Sequence, residues 1–406
     1  MLNKLEVRFS RAPGDATPVG TLAEQKKRVY FEYDEDWLGL GLELSPFHVP
    51  LRSGLIEHTD FSFGPLPGLF DDSLPDGWGL LLMDRHFRQE GIAPERISPL
   101  DRLGYLGTRT MGALTYHPPS QQSAGDAASL NLHGLAQNAR RIYEGRPSVV
   151  LPELLRAGGS PGGARPKVLV GYNPSSDTIL SGEDDLPAGF EHWIVKFSSV
   201  QDAGTSGPVE YAYALMAGRA GLEIPEVRLF ETTGGDRFFG VRRFDRGPGN
   251  RRFHVHTFGN LIQTDFRVPG CDYEDLLKAT SILTRNHKDS LRVFRLMVFN
   301  VMTCNRDDHA KNFAFILDDQ TGDWSFAPAY DLTFCIGPGG EHTTTIHGEG
   351  LKPATDDILK IADKSGILFK EAQAVIDEVR TGIAGWVDIA RQTGAPTDLP
   401  ASWPVI

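Results

Sequence analysis

The octapeptide Asn305-Arg306-Asp307-Asp308-His309-Ala310-Lys311-Asn312 gathers two carboxylates, an imidazole, an ammonium and two carboxamides in one short stretch. It separates an apolar-periodic run ending near Cys304 from the strand-like Phe313-Ala314-Phe315-Ile316-Leu317. Nineteen residues past Asn312, beyond a turn signal at 318–322, comes Ala329-Tyr330-Asp331-Leu332. Phosphoryl transfer needs this inventory: one carboxylate orients the attacking hydroxyl and accepts its proton, while an Asn and a second Asp hold the magnesium ions that bridge the phosphates. Protein kinases place the base Asp five positions before the metal-binding Asn and the metal Asp on the next hairpin, a spacing that Asp307, Asn312 and Asp331 reproduce. Two other readings of the octapeptide stay open. One is a solvated Asp-rich turn; the other is a metal-dependent phosphohydrolase with Asp307, Asp308 and His309 as ligands.

Upstream, Gly158-Gly159-Ser160-Pro161-Gly162-Gly163-Ala164-Arg165-Pro166-Lys167 has four glycines in six residues, which lets backbone N–H groups approach a phosphate closely. A plain linker would read the same way, and neither standard phosphate-loop pattern is met. Lys196 ends the apolar strand-like Trp193-Ile194-Val195-Lys196, where a buried ammonium calls for an anionic partner. Glu210, fourteen residues on at the start of a helix-like run, could supply it, as the strand-lysine and helix-glutamate pair of protein kinases does. Each has a plainer alternative, Lys196 as an edge-strand charge and Glu210 as a first-turn acid. The order Gly-rich loop, Lys, Glu, Asp-x4-Asn, Asp is far harder to reach by chance. Val241-Arg242-Arg243-Phe244-Asp245-Arg246 ends the strand-rich region, where the connection between lobes would pass the adenine and offer it backbone N–H and C=O groups; a charged surface strand end reads the same way. His254 and His256 receive no catalytic role.

The elements that must position these residues follow from periodicity. Residues 1 to about 117 alternate strand-like runs, such as 4–9 and 29–33, with turns. A helix signature opens at Asp71-Asp72-Ser73-Leu74-Pro75 and continues through Trp78 and Phe87. A polar, Pro-rich stretch at 117–126 reads as a boundary. Strands are expected at 167–170, 192–197 and 237–244, and helices at 208–221, 272–285 and 290–304. The expected fold is α+β: a two-lobed, protein-kinase-like arrangement with a strand-rich N-lobe, an all-helical C-lobe and an additional N-terminal α/β subdomain. The expected division is residues 1–117, a connecting stretch 118–149, an N-lobe 150–246 and a C-lobe 247–406.

Bulk properties narrow the class. A net charge of -12 argues against a surface that wraps nucleic acid non-specifically, and leaves open a basic patch or DNA contact through a partner. Three cysteines without a CxxC pair suggest neither a disulfide framework nor a zinc site. With neither a signal-peptide run nor a membrane-length apolar run, a cytoplasmic protein is expected.

The chain resembles the HipA family of bacterial serine/threonine kinase toxins over nearly its whole length. The residues that carry the resemblance are Phe70-Asp71-Asp72-Ser73-Leu74-Pro75-Asp76-Gly77-Trp78, Leu100 to Gly104, Ser160 to Lys167, Glu210-Tyr211, Arg243 to Arg246, Asp307 to Asn312 and Tyr330-Asp331. The resemblance implies ATP and Mg2+ as cofactors, Asp307 as catalytic residue, and Asn312 and Asp331 as magnesium ligands. It implies Lys196 as the phosphate-binding lysine, with Gly162, Gly163, Ala164, Lys167, Arg242, Phe244, Asp307, His309, Lys311, Asn312 and Asp331 around the nucleotide. Ser160 falls at the family's autophosphorylated serine, whose phosphate would compete with ATP for the loop. A HipB-like helix-turn-helix antitoxin is the implied partner, contacting DNA on the pair's behalf. The implied substrate is an aminoacyl-tRNA synthetase, such as glutamyl-tRNA synthetase. A silent co-repressor of the same fold, or a kinase for another protein or a small molecule, is the alternative.

Overall fold

A computed structural model describes residues 2–120, 129–145, 152–157, 162–183, 185–198 and 204–404. They form two compact units, Met1–Gly204 with Phe230–His256, and Thr205–Leu229 with Thr257–Ile406.

In the first unit, β1 (Lys4–Ala12), β2 (Asp15–Gln25), β3 (Arg28–Tyr33), α1 (Glu35–Leu40), β4 (Ile56–Glu57), α2 (Gly68–Asp71), α3 (Gly77–Gln89), α4 (Pro99–Leu106) and β5 (Leu114–His117) come first. The sheet order is β4-β3-β2-β1-β5, with the pairs antiparallel. Alternation along β1 explains its orientation: Leu5, Val7 and Phe9 are buried, while Arg8 and Glu6 pair with each other at 2.9 Å on the opposite face. The expected single helix opening at 71–75 is instead two elements. Asp71 closes α2, and Pro75 disfavours a helical Leu74, so α3 starts at Gly77 with Asp76 as its N-cap residue.

Then come α5 (Leu132–Tyr143), α6 (Pro152–Ala157), β6 (Lys167–Asn173), β7 (Thr178–Ser181) and β8 (Glu191–Lys196). A second sheet has the order β7-β6-β8-β10-β9, with β9 (Val227–Glu231) and β10 (Arg237–Arg242) completing it. Trp78 and Leu82 of α3 pack in one core with Leu135 and Ala139 of α5 and with Val168, Tyr172, Trp193 and Phe238 of the sheet. The N-terminal block and the second sheet therefore share a core. A buried ion triad reinforces the join. The Arg243 Nη2 and Arg246 Nη1 atoms each lie 2.7 Å from Asp245 Oδ2, which also accepts the Gly112 N–H at 2.7 Å. Arg246 donates to Gly112 O at 2.9 Å and to Thr110 O at 2.8 Å. The expected strand 237–244 ends at Arg242 because Arg243 and Asp245 turn into this clamp. Short β11 (Arg246–Gly247) and β12 (Arg251–Arg252) pair beyond it, and β13 (His254–Thr257) leads into the second unit.

The second unit is mainly helical: α7 (Ser206–Arg219), α8 (Phe258–Leu261), α9 (Tyr273–Thr284), α10 (His287–Met302), α11 (Thr355–Lys364), α12 (Phe369–Ile383) and α13 (Trp386–Thr393). Short strands interrupt it: β14 (Cys271–Asp272), β15 (Ala314–Leu317), β16 (Trp324–Phe326) and β17 (Thr344–Thr345). α10 starts before the expected residue 290 because the Asn286 side chain caps it at Lys288 N. Its buried residues, including Phe294, Met297, Val298 and Val301, follow helical spacing and set the direction from which the Asp-rich loop departs.

Candidate phosphoryl-transfer site

The Asp-rich loop begins where Cys304, in a left-handed conformation (φ 55°), breaks the helical run of α10. Asn305 folds back on the helix, its Nδ2 donating to Asn300 Oδ1 at 2.9 Å. Asn300 Nδ2 donates to the Tyr273 hydroxyl at 3.0 Å, and that hydroxyl donates to Asp308 Oδ2 at 2.9 Å. Burial first, and then the neighbouring carboxylate, push the Tyr273 phenol well above its ordinary value, so it remains the proton donor. Asp308 is 1% exposed, and its other partners are His342 Nδ1 at 2.8 Å on Oδ2, with Thr343 N at 2.9 Å and Thr344 N at 3.4 Å on Oδ1. Both oxygens of Asp308 are thus engaged by the protein. Asp307, one residue earlier, is exposed.

Asn312 ends a short 3-10 turn, Ala310–Asn312, and donates its Nδ2 to Asp307 O at 2.7 Å. That bond fixes the spacing between Asp307 and Asn312 and occupies Nδ2, which leaves Oδ1 as the side-chain atom with the chemistry to ligate a cation. β15 and β16 pair through Phe315 opposite Phe326, carrying the chain to Tyr330, whose hydroxyl donates to Lys311 O at 2.7 Å. Asp331 follows, half-buried and in the left-handed region (φ 59°). The octapeptide and the irregular segment that carries Asp331 are therefore tied together within one unit. The Phe266 ring lies 5.1 Å from the His309 ring and 4.9 Å from Lys311 Nζ. Arg306 Nε and His309 Nδ1 are buried without a hydrogen-bond partner among the described residues, so the loop carries polar atoms that the protein alone leaves unsatisfied.

In the first unit, Gly162, Gly163 and Ala164 are described, while Ser160 lies outside the described residues. Gly163 has φ 93°, a backbone conformation that L side chains rarely adopt, so glycine is strongly favoured there. Its N–H donates to Asp76 Oδ1, and its carbonyl accepts from Trp78 N at 3.0 Å. Lys167 donates to Gly162 O at 2.6 Å. Lys167 and Lys196 are direct cross-strand partners on β6 and β8, and both are buried. Like charges directly opposite each other in a sheet are unfavourable, so this pair sets the electrostatic character of that end of the sheet. Arg242 lies 3.4 Å from Glu191, and Phe244 is half-buried between the buried Arg243 and Asp245. Glu210 is buried on α7 in the second unit. His256 is structural, with its Nδ1 2.5 Å from Asp72 and its Nε2 3.0 Å from Ser45.

Sequence reasoning missed Tyr273, His342 and Phe266, which stand 35, 34 and 43 residues from their loop partners and form no spacing pattern. It also missed Asp76 as the seat of the glycine loop, although Asp-Gly before an apolar-periodic run is a usable cap signal.

An α+β chain with an exposed Asp, a carboxamide five residues on and a second Asp beyond the next hairpin has a protein-kinase-like fold. Residues 14–117 match the HipA N-terminal domain, and residues 159–387 match the HipA-like C-terminal domain. The chain belongs to the HipA family. HipA in the Shewanella oneidensis MR-1 toxin–antitoxin complex of HipA, HipB and operator DNA superposes with a TM-score of 0.72. That alignment has 18% identity and covers 98% of this chain and 94% of the other, a likeness of fold. A Sinorhizobium fredii protein named "Putative kinase Y4dM" is 27% identical over 89% of this chain and 86% of its own length.

Proposed function

We propose that this chain is an ATP- and magnesium-dependent serine/threonine protein kinase, the toxin of a two-protein toxin–antitoxin system. The observation that carries the reading is the contrast between neighbouring acids. Asp308 has both oxygens engaged by Tyr273, His342, Thr343 and Thr344, so it is unavailable as the second ligand of a hydrolase metal centre. Asp307 is exposed and tied through its own carbonyl to Asn312, as a base beside a metal ligand requires.

In this reading Asp307 orients the acceptor hydroxyl and takes its proton. Asn312 Oδ1 and the Asp331 carboxylate hold magnesium, which when bound neutralises charge developing on the transferred phosphoryl group. Lys167, Lys196 and the amides of Gly162, Gly163 and Ala164 hold phosphate oxygens. Arg242 and Phe244 border the adenine, and His309 and Lys311 complete the nucleotide contacts. Ser160 is the site of autophosphorylation. Family membership supports a HipB-like helix-turn-helix antitoxin as partner, because the similar Shewanella HipA is found with HipB and operator DNA. An aminoacyl-tRNA synthetase is the proposed acceptor.

Calorimetric titration with ATP tests the metal assignment. Magnesium should tighten binding by about tenfold or more in the wild type and by much less in Asn312→Ala/Asp331→Ala. An undiminished magnesium response in that variant contradicts the assignment.

A further inference from the structure

The residues flanking Asp307 serve a different task from Asp307 itself. Arg306 donates its N–H to Cys335 O at 3.1 Å, and its guanidinium donates to Gly340 O and, at 3.2 Å, to Leu351 O. Asp308 binds His342, Thr343 and Thr344 through its carboxylate, and its carbonyl accepts the Thr344 hydroxyl at 2.5 Å. All of these partners lie in 335–351, the stretch that follows Asp331. The far side of that stretch is held as well. Thr345 Oγ1 and Gly348 N donate to Asp272 Oδ2 at 2.6 and 2.7 Å, and β17 runs parallel to β14.

At the centre of these ties is a pair with almost no solvent exposure, Asp308 at 1% and His342 at 2%. Tyr273, Asn300 and Asn305, equally buried, carry the network back to α9 and α10. A buried carboxylate is costly unless fully bonded, and a fully bonded one admits a single arrangement. Asp307 sits in this chain between Asn305 and Asp308, two residues held by that network. Kinases commonly order the corresponding stretch by phosphorylating it, which supplies an anion to bind. Here a built-in carboxylate, contributed by the catalytic loop, does the binding.

We propose that Asp308 and His342 are positioning residues for phosphoryl transfer, coupling the pose of Asp307 to an already ordered segment 335–351 without any modification of that segment. The proposal rests on the kinase reading above. His342→Phe keeps the ring volume and removes the donor; His342→Asn restores a donor near the position of Nδ1. The full chain and both variants are compared by hydrogen exchange of the 335–351 amides, Mg-ATP affinity and phosphotransfer kinetics per nucleotide-binding molecule. In His342→Phe, exchange across 335–351 should accelerate about tenfold or more. Its kcat should fall about 100-fold, with Mg-ATP affinity within about threefold of wild type. His342→Asn should recover most of both losses.

A His342→Phe protein with wild-type kcat overturns the proposal, as does an Asn variant no better than Phe. A wild type that transfers no phosphate contradicts the kinase reading instead. Exchange then decides the coupling by itself, and equal exchange in wild type and His342→Phe overturns it.

Discussion

Asp307 and Asp308 are chemically identical and occupy opposite environments, one exposed and one with both oxygens bonded in the interior. Their substitutions should fail in different ways. Asp307→Asn should lower kcat by about 10²–10⁴-fold, the range for a general base, with unfolding temperature and Mg-ATP affinity close to wild type. Asp308→Ala leaves Tyr273 and His342 without their acceptor and should cost about 3–5 kcal/mol in denaturant unfolding. If the two variants showed the same profile, the assigned roles would be wrong. The Asp307–Asn312–Asp331 spacing was legible from sequence because one short loop and one hairpin carry it. The role of Asp308 was not, because its partners come from the start of α9 and from beyond Asp331, and only the folded chain brings them near.

Among elements, α3 has two tasks. Trp78 packs in the core of the second sheet, donates its indole N–H to Lys167 O at 3.1 Å, and donates its backbone N–H to the Gly163 carbonyl. Trp78→Ala should destabilise the protein by about 3–5 kcal/mol and weaken nucleotide binding with it. Gly77→Ala is the sharper probe. Gly77 has φ 42°, and a Cβ there would come within 2.7 Å of Ala164 Cα, so the added methyl pushes on the glycine loop. The expected result is an Mg-ATP Kd raised about tenfold or more, read by calorimetry. An unchanged Kd would show that this seat does not govern the loop. Most elements were legible from period alone: β6, β8, α7, α9 and α10 lie where alternation or helical spacing put them. The 71–75 helix start was misplaced because Asp71-Asp72-Ser73 carries the same start signal as Asp76, ahead of where the helix begins. The capping Asp76 and the left-handed Gly77 mark the start of α3.

At the scale of the whole molecule, the N-terminal block and the second sheet behave as one folded unit, joined by the shared core and the Arg243–Asp245–Arg246 triad. Removing residues 1–117 strips Asp245 and Arg246 of Gly112 and Thr110 and uncovers the sheet. The remaining chain should be insoluble or aggregated by size-exclusion chromatography, and a monodisperse, ATP-binding remainder would contradict the shared core. Acid sensitivity follows from the same region. Burial first, then Arg243 beside His192 and His256 beside His254, bring both imidazoles from 6.5 down to about 4. The unfolded chain takes up these protons near pH 6.5 and the folded chain near 4, so their stabilisation is complete above 6.5 and is lost as pH falls towards 4. Burial would raise the Asp245 carboxyl, but its two guanidiniums outweigh that and hold it well below the carboxylate range, so its own contribution is lost only below about pH 4. Unfolding temperature should therefore fall steadily between pH 7 and 4, and His192→Gln should flatten part of that slope. The most direct test of the central claim is intact-mass analysis of phosphate-free wild type and Asp307→Ala, each incubated with Mg-ATP. A phosphate-sized gain mapping to Ser160 in the wild type and absent from the variant is the predicted result. No gain in a wild type that also fails to bind ATP would contradict it.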